Sequence, residues 1–150
     1  DLRLRRIGFV FQAYNLIPVL TARENIEFVM QMQGVPPAER RQKSEAILEE
    51  VGLGGLGGRR PAEMSGGQQQ RVAVARAIVS QPELVLADEP TANLDSVNSR
   101  ELIELFKTLN QRHGTTFVIA THDELVMKHA RRLIRMLDGR IVDDIDQDDA

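Results

Sequence analysis

LVLADEPTANLD, residues 84–95, joins four apolar residues to two adjacent carboxylates, a proline and an Asn-Leu-Asp turn. A short apolar run without polar alternation reads as a strand buried on both faces. Its C-terminal end then delivers Asp88 and Glu89 to the edge where open parallel sheets bind ligands. Taken alone, the pair reads equally as a polar loop capping the next helix.

Outward from this stretch, strand-like and helix-like segments alternate without internal repeats, which predicts an α/β domain with a mostly parallel sheet. IGFVF at 7–11 is an apolar strand running into Gln12. Thr21 and Glu24 form a T-x-x-E capping box that opens a helix over 21–32. A second helix follows Pro36-Pro37, with Ala46, Ile47 and Val51 on its apolar face, before the glycine-rich residues 52–58 break the chain. SGGQ at 65–68 repeats the capping-box spacing and opens a helix to about residue 79. Beyond the carboxylates, a helix over 96–112 stops at Gly114, and FVIA at 117–120 is a second buried strand. A short helix over 125–130 leads to residues 133–137 and 140–142, which flank the hairpin signal Asp138-Gly139. The acidic residues 143–150 read as a solvated, mobile tail.

Composition narrows the function classes. With 150 residues, 42% hydrophobic and 27% charged, the chain can bury one core. The lack of cysteine excludes a disulfide framework, a thiolate zinc site and a cysteine nucleophile. A net charge of -3, aromatics at 4% and no tryptophan argue against nucleic acid as a ligand. Five aspartates lie within 143–150, so the remainder is close to neutral. No apolar run approaches the roughly 18 residues of a membrane span, and the N-terminus lacks a signal-peptide succession.

Three further features carry chemistry. In SGGQQ, residues 65–69, two glycines at a helix start let backbone amides approach an anion, while Ser65 can add a hydroxyl. An ordinary capped helix with a flexible entry has the same pattern. Gln12 ends a strand, where an amide can coordinate a cation and its attacking water, or simply face solvent. His122 follows a strand and serves equally as a hydrogen-bonded loop residue.

Their order is more informative than any one of them. Gln12, SGGQQ at 65–69, Asp88-Glu89, NLD at 93–95 and His122 together resemble the motif series of ATP-binding-cassette (ABC) ATPases over residues 7–142. The resemblance implies a P-loop NTPase-like core, here residues 65–142 with the signature helix, and an α-helical subdomain over about 13–64 that grips a transporter. It implies that Asp88 holds Mg2+ through water and that Glu89 is the general base or water-positioning carboxylate for attack on the γ-phosphate of ATP. Gln12 matches the glutamine that touches Mg2+ and links the nucleotide to the membrane partner. His122 matches the histidine that hydrogen-bonds the γ-phosphate, and Asp95 an aspartate at the dimer seam. Ser65, Gly66, Gly67 and Gln68 match the signature that binds the nucleotide of the opposite subunit, so a head-to-tail dimer of ATPase subunits sandwiches two ATP molecules.

The wording of residues 7–27, 65–78 and 86–95 resembles the lipoprotein-releasing and macrolide-exporter branch. That implies an ATPase subunit on the cytoplasmic face of the inner membrane, driving export or lipoprotein release through a transmembrane permease. A non-transport ABC ATPase of repair or translation and a nonhydrolytic regulatory module are the alternatives. The 53-position interval from Gln12 to Ser65 and the lack of cysteine leave no place for coiled-coil or zinc-bearing insertions. Intact Asp88, Glu89 and His122 argue against a nonhydrolytic module. One family element is missing: G-x-x-x-x-G-K-S/T occurs nowhere, and Lys43, Lys107 and Lys128 follow no glycine loop. The chain therefore reads as the C-terminal part of one ABC ATPase domain over 1–142. By itself it is expected to bind ATP weakly, to lack turnover and to be poorly stable.

Overall fold

The computed structural model describes residues 7–147. Strands β1 (Ile7–Val10), β2 (Leu84–Asp88) and β3 (Thr116–Ala120) form a parallel sheet in that order. Val10 lies beside Ala87, and Ala87 beside Ile119, so all three strands end on one edge.

The connection from β1 to β2 holds α1 (Ala22–Met32), α2 (Pro37–Glu50), a 3-10 turn (Pro61–Glu63) and α3 (Gly66–Ile78). From β2 to β3 runs α4 (Ser96–His113), which ends on Gly114 in the left-handed conformation. Parallel crossovers are right-handed almost without exception, and two that step the same way lay their helices on one face. Gly8 shows how close this packing is, because a Cβ there would collide with the Ala77 carbonyl of α3. Phe106 of α4 packs its ring 4.9 Å from Phe117 of β3, on the same face as Gly8 by register. Val10, Val74, Val85, Ala87, Leu102 and Leu109 complete this side of the core, while Ile26, Met30, Leu48 and Val51 join α1 and α2 to it.

The helix handedness also explains a departure from expectation. Residues 84–87 and 117–120 were expected to be buried on both faces, yet only the helix side is covered among the described residues. On the other face Phe9, Leu86 and Val118 align across the sheet, and Val118 is 51% exposed. On α2 the buried apolar residues are Ile47 and Leu48, with Val51 beyond, while Ala46 is exposed. Residue 46 instead lines an open surface cavity with Arg23 and Gly57.

The Asp138-Gly139 turn joins β4 (Arg132–Leu137) and β5 (Arg140–Asp146) as expected, with positive φ at both turn residues. The acidic segment departs from expectation. It is no tail as far as Asp146, because β5 continues through Asp143, Asp144 and Asp146. Opposite them stand Arg135, Ile134 and Arg132, and the Arg132 guanidinium donates to both carboxylate oxygens of Asp144 at 2.8 and 2.6 Å. Opposite charges across an antiparallel pair stabilise the ladder that a run of aspartates would otherwise oppose. The expected tail residues 148–150 lie outside the described residues.

Candidate functional site

The C-terminal edge of the sheet gathers four of the expected residues. Gln12 leaves β1 and Glu89 leaves β2 at matching register, Asp88 pairs with Ala120, and His122 follows two residues later. Asp88 and Gln12 are exposed to solvent. His122 Nδ1 lies 2.6 Å from Glu89 Oε1, and Thr121 donates to Glu89 Oε2 at 3.4 Å. The His122 side chain is 99% exposed and that of Glu89 23%, so the pair joins a half-sheltered carboxylate to an accessible imidazole.

Local backbone sets this direction. Glu89 adopts φ 44°, a left-handed conformation that costs a non-glycine residue on the order of 1 kcal/mol or more. Its N–H donates to the Ala120 carbonyl at 2.8 Å, which ties the turn to β3. Strand alternation therefore ends at Asp88, and the turn aims Glu89 at the loop after β3. Thr91 Oγ1 donates to Asp123 Oδ2 at 2.8 Å, joining the same two loops a second time. Asp123 is then fixed as the cap of the short helix α5 (Glu124–His129), accepting from Leu125 N.

A second group forms at the start of α3. Ser65 is the N-cap: its Oγ accepts from Gln68 N at 3.2 Å, while Gln68 Oε1 accepts from Ser65 N at 3.0 Å. Gly67 is held against Asn98 of α4 so closely that a Cβ would meet the Asn98 side chain. Asp95 caps α4, its Oδ1 accepting from Asn98 N at 2.8 Å and Asn98 Nδ2 at 3.1 Å. Asp95 therefore stands with the Gly67 group rather than with the Glu89–His122 pair. The two groups communicate through the turn after β1. Tyr14 OH approaches Gly66, and Asn93 Nδ2 donates to the Gln12 carbonyl at 3.0 Å.

Several participants escape a motif reading. Gln70, Arg76, Thr91 and Asp123 act through the backbone or another side chain, and no residue spacing marks such partners; Asn93 stands in the NLD motif, but its bond to the Gln12 carbonyl does not follow from it. The one available signal was Arg76, a lone charge inside the alanine-valine stretch 72–79; Gln70 lies in the run Gln68-Gln69-Gln70-Arg71 and nothing in the sequence singles it out. Asn25 is a comparable case in α1: buried, it bonds Ile17 N and O and the Leu20 and Thr21 carbonyls, fixing residues 17–21 on the helix.

Asp88, Glu89 and Gln12 present oxygen donors only, the hard-ligand set that suits Mg2+. Among the described residues no cluster of three or more His, Asp or Glu is arranged to enclose a metal. That also fits Mg2+, which is commonly bound through one or two carboxylates together with substrate phosphates.

Comparisons with known proteins bear on the family and the fold. A profile of the family described as ABC transporter matches residues 1–92. An ABC transporter ATP-binding protein of Thermotoga maritima is 49% identical over 141 residues, covering 94% of this chain and 60% of that protein. The macrolide export ATP-binding/permease protein MacB of Marinobacter nauticus is 51% identical over 144 residues, 95% of this chain and 22% of that protein. The solved dimeric ATP-binding cassette MJ0796, in a post-hydrolysis state bound to ADP and Pi, matches with TM-score 0.83 and 40% identity. That match covers 97% of this chain and 64% of the cassette. The chain thus spans about 60% of the length of the cassette-sized relatives it matches. An ABC cassette's parallel sheet, its ordered motifs and the profile match coincide in these residues, and the chain belongs to the ABC transporter family.

Proposed function

We propose that these residues are part of an ATPase that hydrolyses ATP to power export through a membrane permease. The observation that carries the reading is the 2.6 Å Glu89–His122 pair on the edge that also presents Asp88 and Gln12. Glu89 Oε accepts the proton of a water as its oxygen attacks the γ-phosphorus, and ADP is the leaving group. In its protonated form His122 donates through both nitrogens, Nδ1 to Glu89 and Nε2 toward the γ-phosphate. Asp88 and Gln12 would hold Mg2+, which when bound would offset the charge of the phosphate oxygens.

Ser65, Gly66, Gly67 and Gln68 bind the nucleotide of a second ATPase subunit, and Asp95 lies at the seam of that head-to-tail dimer. The solved relative described as dimeric and bound to ADP and Pi supports a dimer of nucleotide-bound subunits. No G-x-x-x-x-G-K-S/T loop occurs among the 150 residues, so they offer the β- and γ-phosphates no backbone cradle of that kind. The helical segment 13–64 contacts the permease, a partner supported by the joint ATP-binding/permease names of the exporter relatives. Among the described residues no helix is long and apolar enough to cross a membrane. As the partner of a membrane permease, the ATPase works from the cytoplasmic face of the inner membrane, where ATP is supplied.

The test is Glu89→Gln in the intact protein. Loss of the base lowers turnover by about 10²–10⁴-fold while ATP still binds and the dimer accumulates. Turnover within threefold of the unsubstituted protein removes Glu89 from this role.

A further inference from the structure

Gln70 lies in the middle of α3, fully buried, one turn beyond the Ser65–Gln68 cap. Its Nε2 donates to the Pro90 carbonyl at 2.6 Å and reaches the Phe11 carbonyl at 3.4 Å. Phe11 immediately precedes Gln12, and Pro90 immediately follows Glu89. Gln70 Oε1, by contrast, is buried without a hydrogen-bond partner among the described residues. A buried carboxamide that leaves its own acceptor unsatisfied calls for a reason, and the two carbonyls held by its donor supply one.

Arg76, further along the same helix, extends the pattern. Its guanidinium forks onto the Asn15 and Tyr14 carbonyls at 2.7 and 2.8 Å, and both residues are left-handed, with φ 54° and 64°. Neither conformation is favourable for a residue with a side chain, so the turn persists because its surroundings hold it. Burial depresses the Arg76 pKa, which shows how far this charge has been withdrawn from water to serve two carbonyls. Counting along the turn, Phe11 O is held by Gln70, Gln12 O by Asn93, Ala13 O by Asn15 N, and Tyr14 O and Asn15 O by Arg76. Every carbonyl from 11 to 15 is thereby taken.

We propose that Gln70, seconded by Arg76, is a positioning residue that locks the backbone before Gln12 and after Glu89 to one helix. The start of that helix is the signature segment. A displacement of α3 consequently moves the Gln12 turn and the Glu89 turn together, and neither can relax while the other is fixed. The structural clamp stands on the geometry alone, and its bearing on catalysis rests on the functional reading above.

The test uses the intact protein with Gln70→Met, which keeps the side chain's length while removing the donor and the orphan acceptor. Val74→Ala, a buried cavity one turn along α3, is the control for simple destabilisation. Amide exchange without nucleotide is followed over residues 7–20 and 86–97. Gln70→Met is expected to raise exchange at least tenfold in both segments, whereas Val74→Ala leaves both within twofold. In turnover assays it should lower kcat and raise the Mg2+ concentration for half-maximal rate, each at least fivefold. Exchange unchanged in either segment, or raised equally by Val74→Ala, overturns the clamp. Raised exchange with kcat and Mg2+ requirement unaltered overturns its role in catalysis. If Gln70→Met does not fold, Gln70→Asn withdraws the same amide by one methylene and is read by the same criteria. An unsubstituted protein without ATPase activity sinks the functional reading and the catalytic role, while exchange still decides the clamp.

Discussion

Gly8→Ala should be costly out of proportion to the single methyl it adds. The new Cβ lands on the Ala77 carbonyl, a backbone group that cannot rotate aside, and Ala77 is held by the α3 hydrogen-bond ladder. Relief requires α3 to back away from β1, opening the contact in which Val10 and Val74 are fully buried. Overpacking a core costs about 1–3 kcal/mol, and a clash with backbone places this variant near about 3 kcal/mol. For a domain of 150–250 residues, about 2–4 °C of Tm accompanies each kcal/mol, so a loss of about 6–12 °C follows. The control is Gly58→Ala, where the added methyl meets nothing within 4 Å and φ is not left-handed. That substitution should leave Tm unchanged or raise it slightly through reduced unfolded-state entropy. Thermal unfolding of the intact protein by circular dichroism reads both. Equal Tm for the two variants would refute the claim that α3 sits against β1 at glycine distance.

His122→Ala should lower turnover at least tenfold with ATP affinity little changed, as measured by steady-state kinetics and nucleotide titration; an unaltered kcat removes the imidazole from the reaction. Ser65→Ala deletes the reciprocal cap of α3 and should cost about 1 kcal/mol in chemical denaturation, and no change in midpoint would show that solvent replaces the hydroxyl. In the hairpin, the Arg132 guanidinium holds the Asp144 carboxyl below the usual carboxylate range. The stabilisation from a depressed carboxyl is complete above the unfolded value and is lost as pH falls through the folded one. Amide exchange in β4 and β5 should therefore begin to rise only below about pH 4, and Asp144→Asn should flatten that dependence.

What the sequence revealed, and what it hid, follows from how far each interaction reaches along the chain. Both capping boxes, at Thr21 and Ser65, appeared as drawn, because their partners are three residues apart. The Asp138-Gly139 hairpin appeared for the same reason. Residues 143–146 were misread as tail because runs of aspartate are usually solvated, and the rescuing arginine lies 12 positions upstream. Among the described residues one face of the sheet is open because crossover direction decides which face these helices reach, whereas apolar composition records only what a strand can bury. The motif order placed Gln12, Asp88, Glu89 and His122 on one edge, yet the Glu89–His122 hydrogen bond spans 33 positions and depends on a left-handed turn at Glu89. Glutamate is not a residue whose type announces that conformation.

The cap of α3 shows how stability and binding share the same atoms here. Ser65 Oγ and Gln68 Oε1 are used as acceptors, each for a backbone N–H that a helix start leaves unpaired. Among the described residues the donors find no acceptor: the Ser65 hydroxyl hydrogen, the two hydrogens of Gln68 Nε2 and the first-turn amides of Gly66 and Gly67. A helix start whose acceptors point inward and whose donors point out is selective for an anion, and the helix dipole adds to that preference. Folding α3 therefore leaves nothing to be broken before a phosphate can be bound. Glycine at 66 and 67 fits contacts on both sides of this surface: Gly67 lies against Asn98 and Gly66 against Tyr14. A Cβ at 67 would displace the Asn98 side chain from Asp95, and one at 66 would require the Tyr14 hydroxyl to give way. Packing within this chain thus constrains residues 66 and 67 independently of the ligand proposed for them.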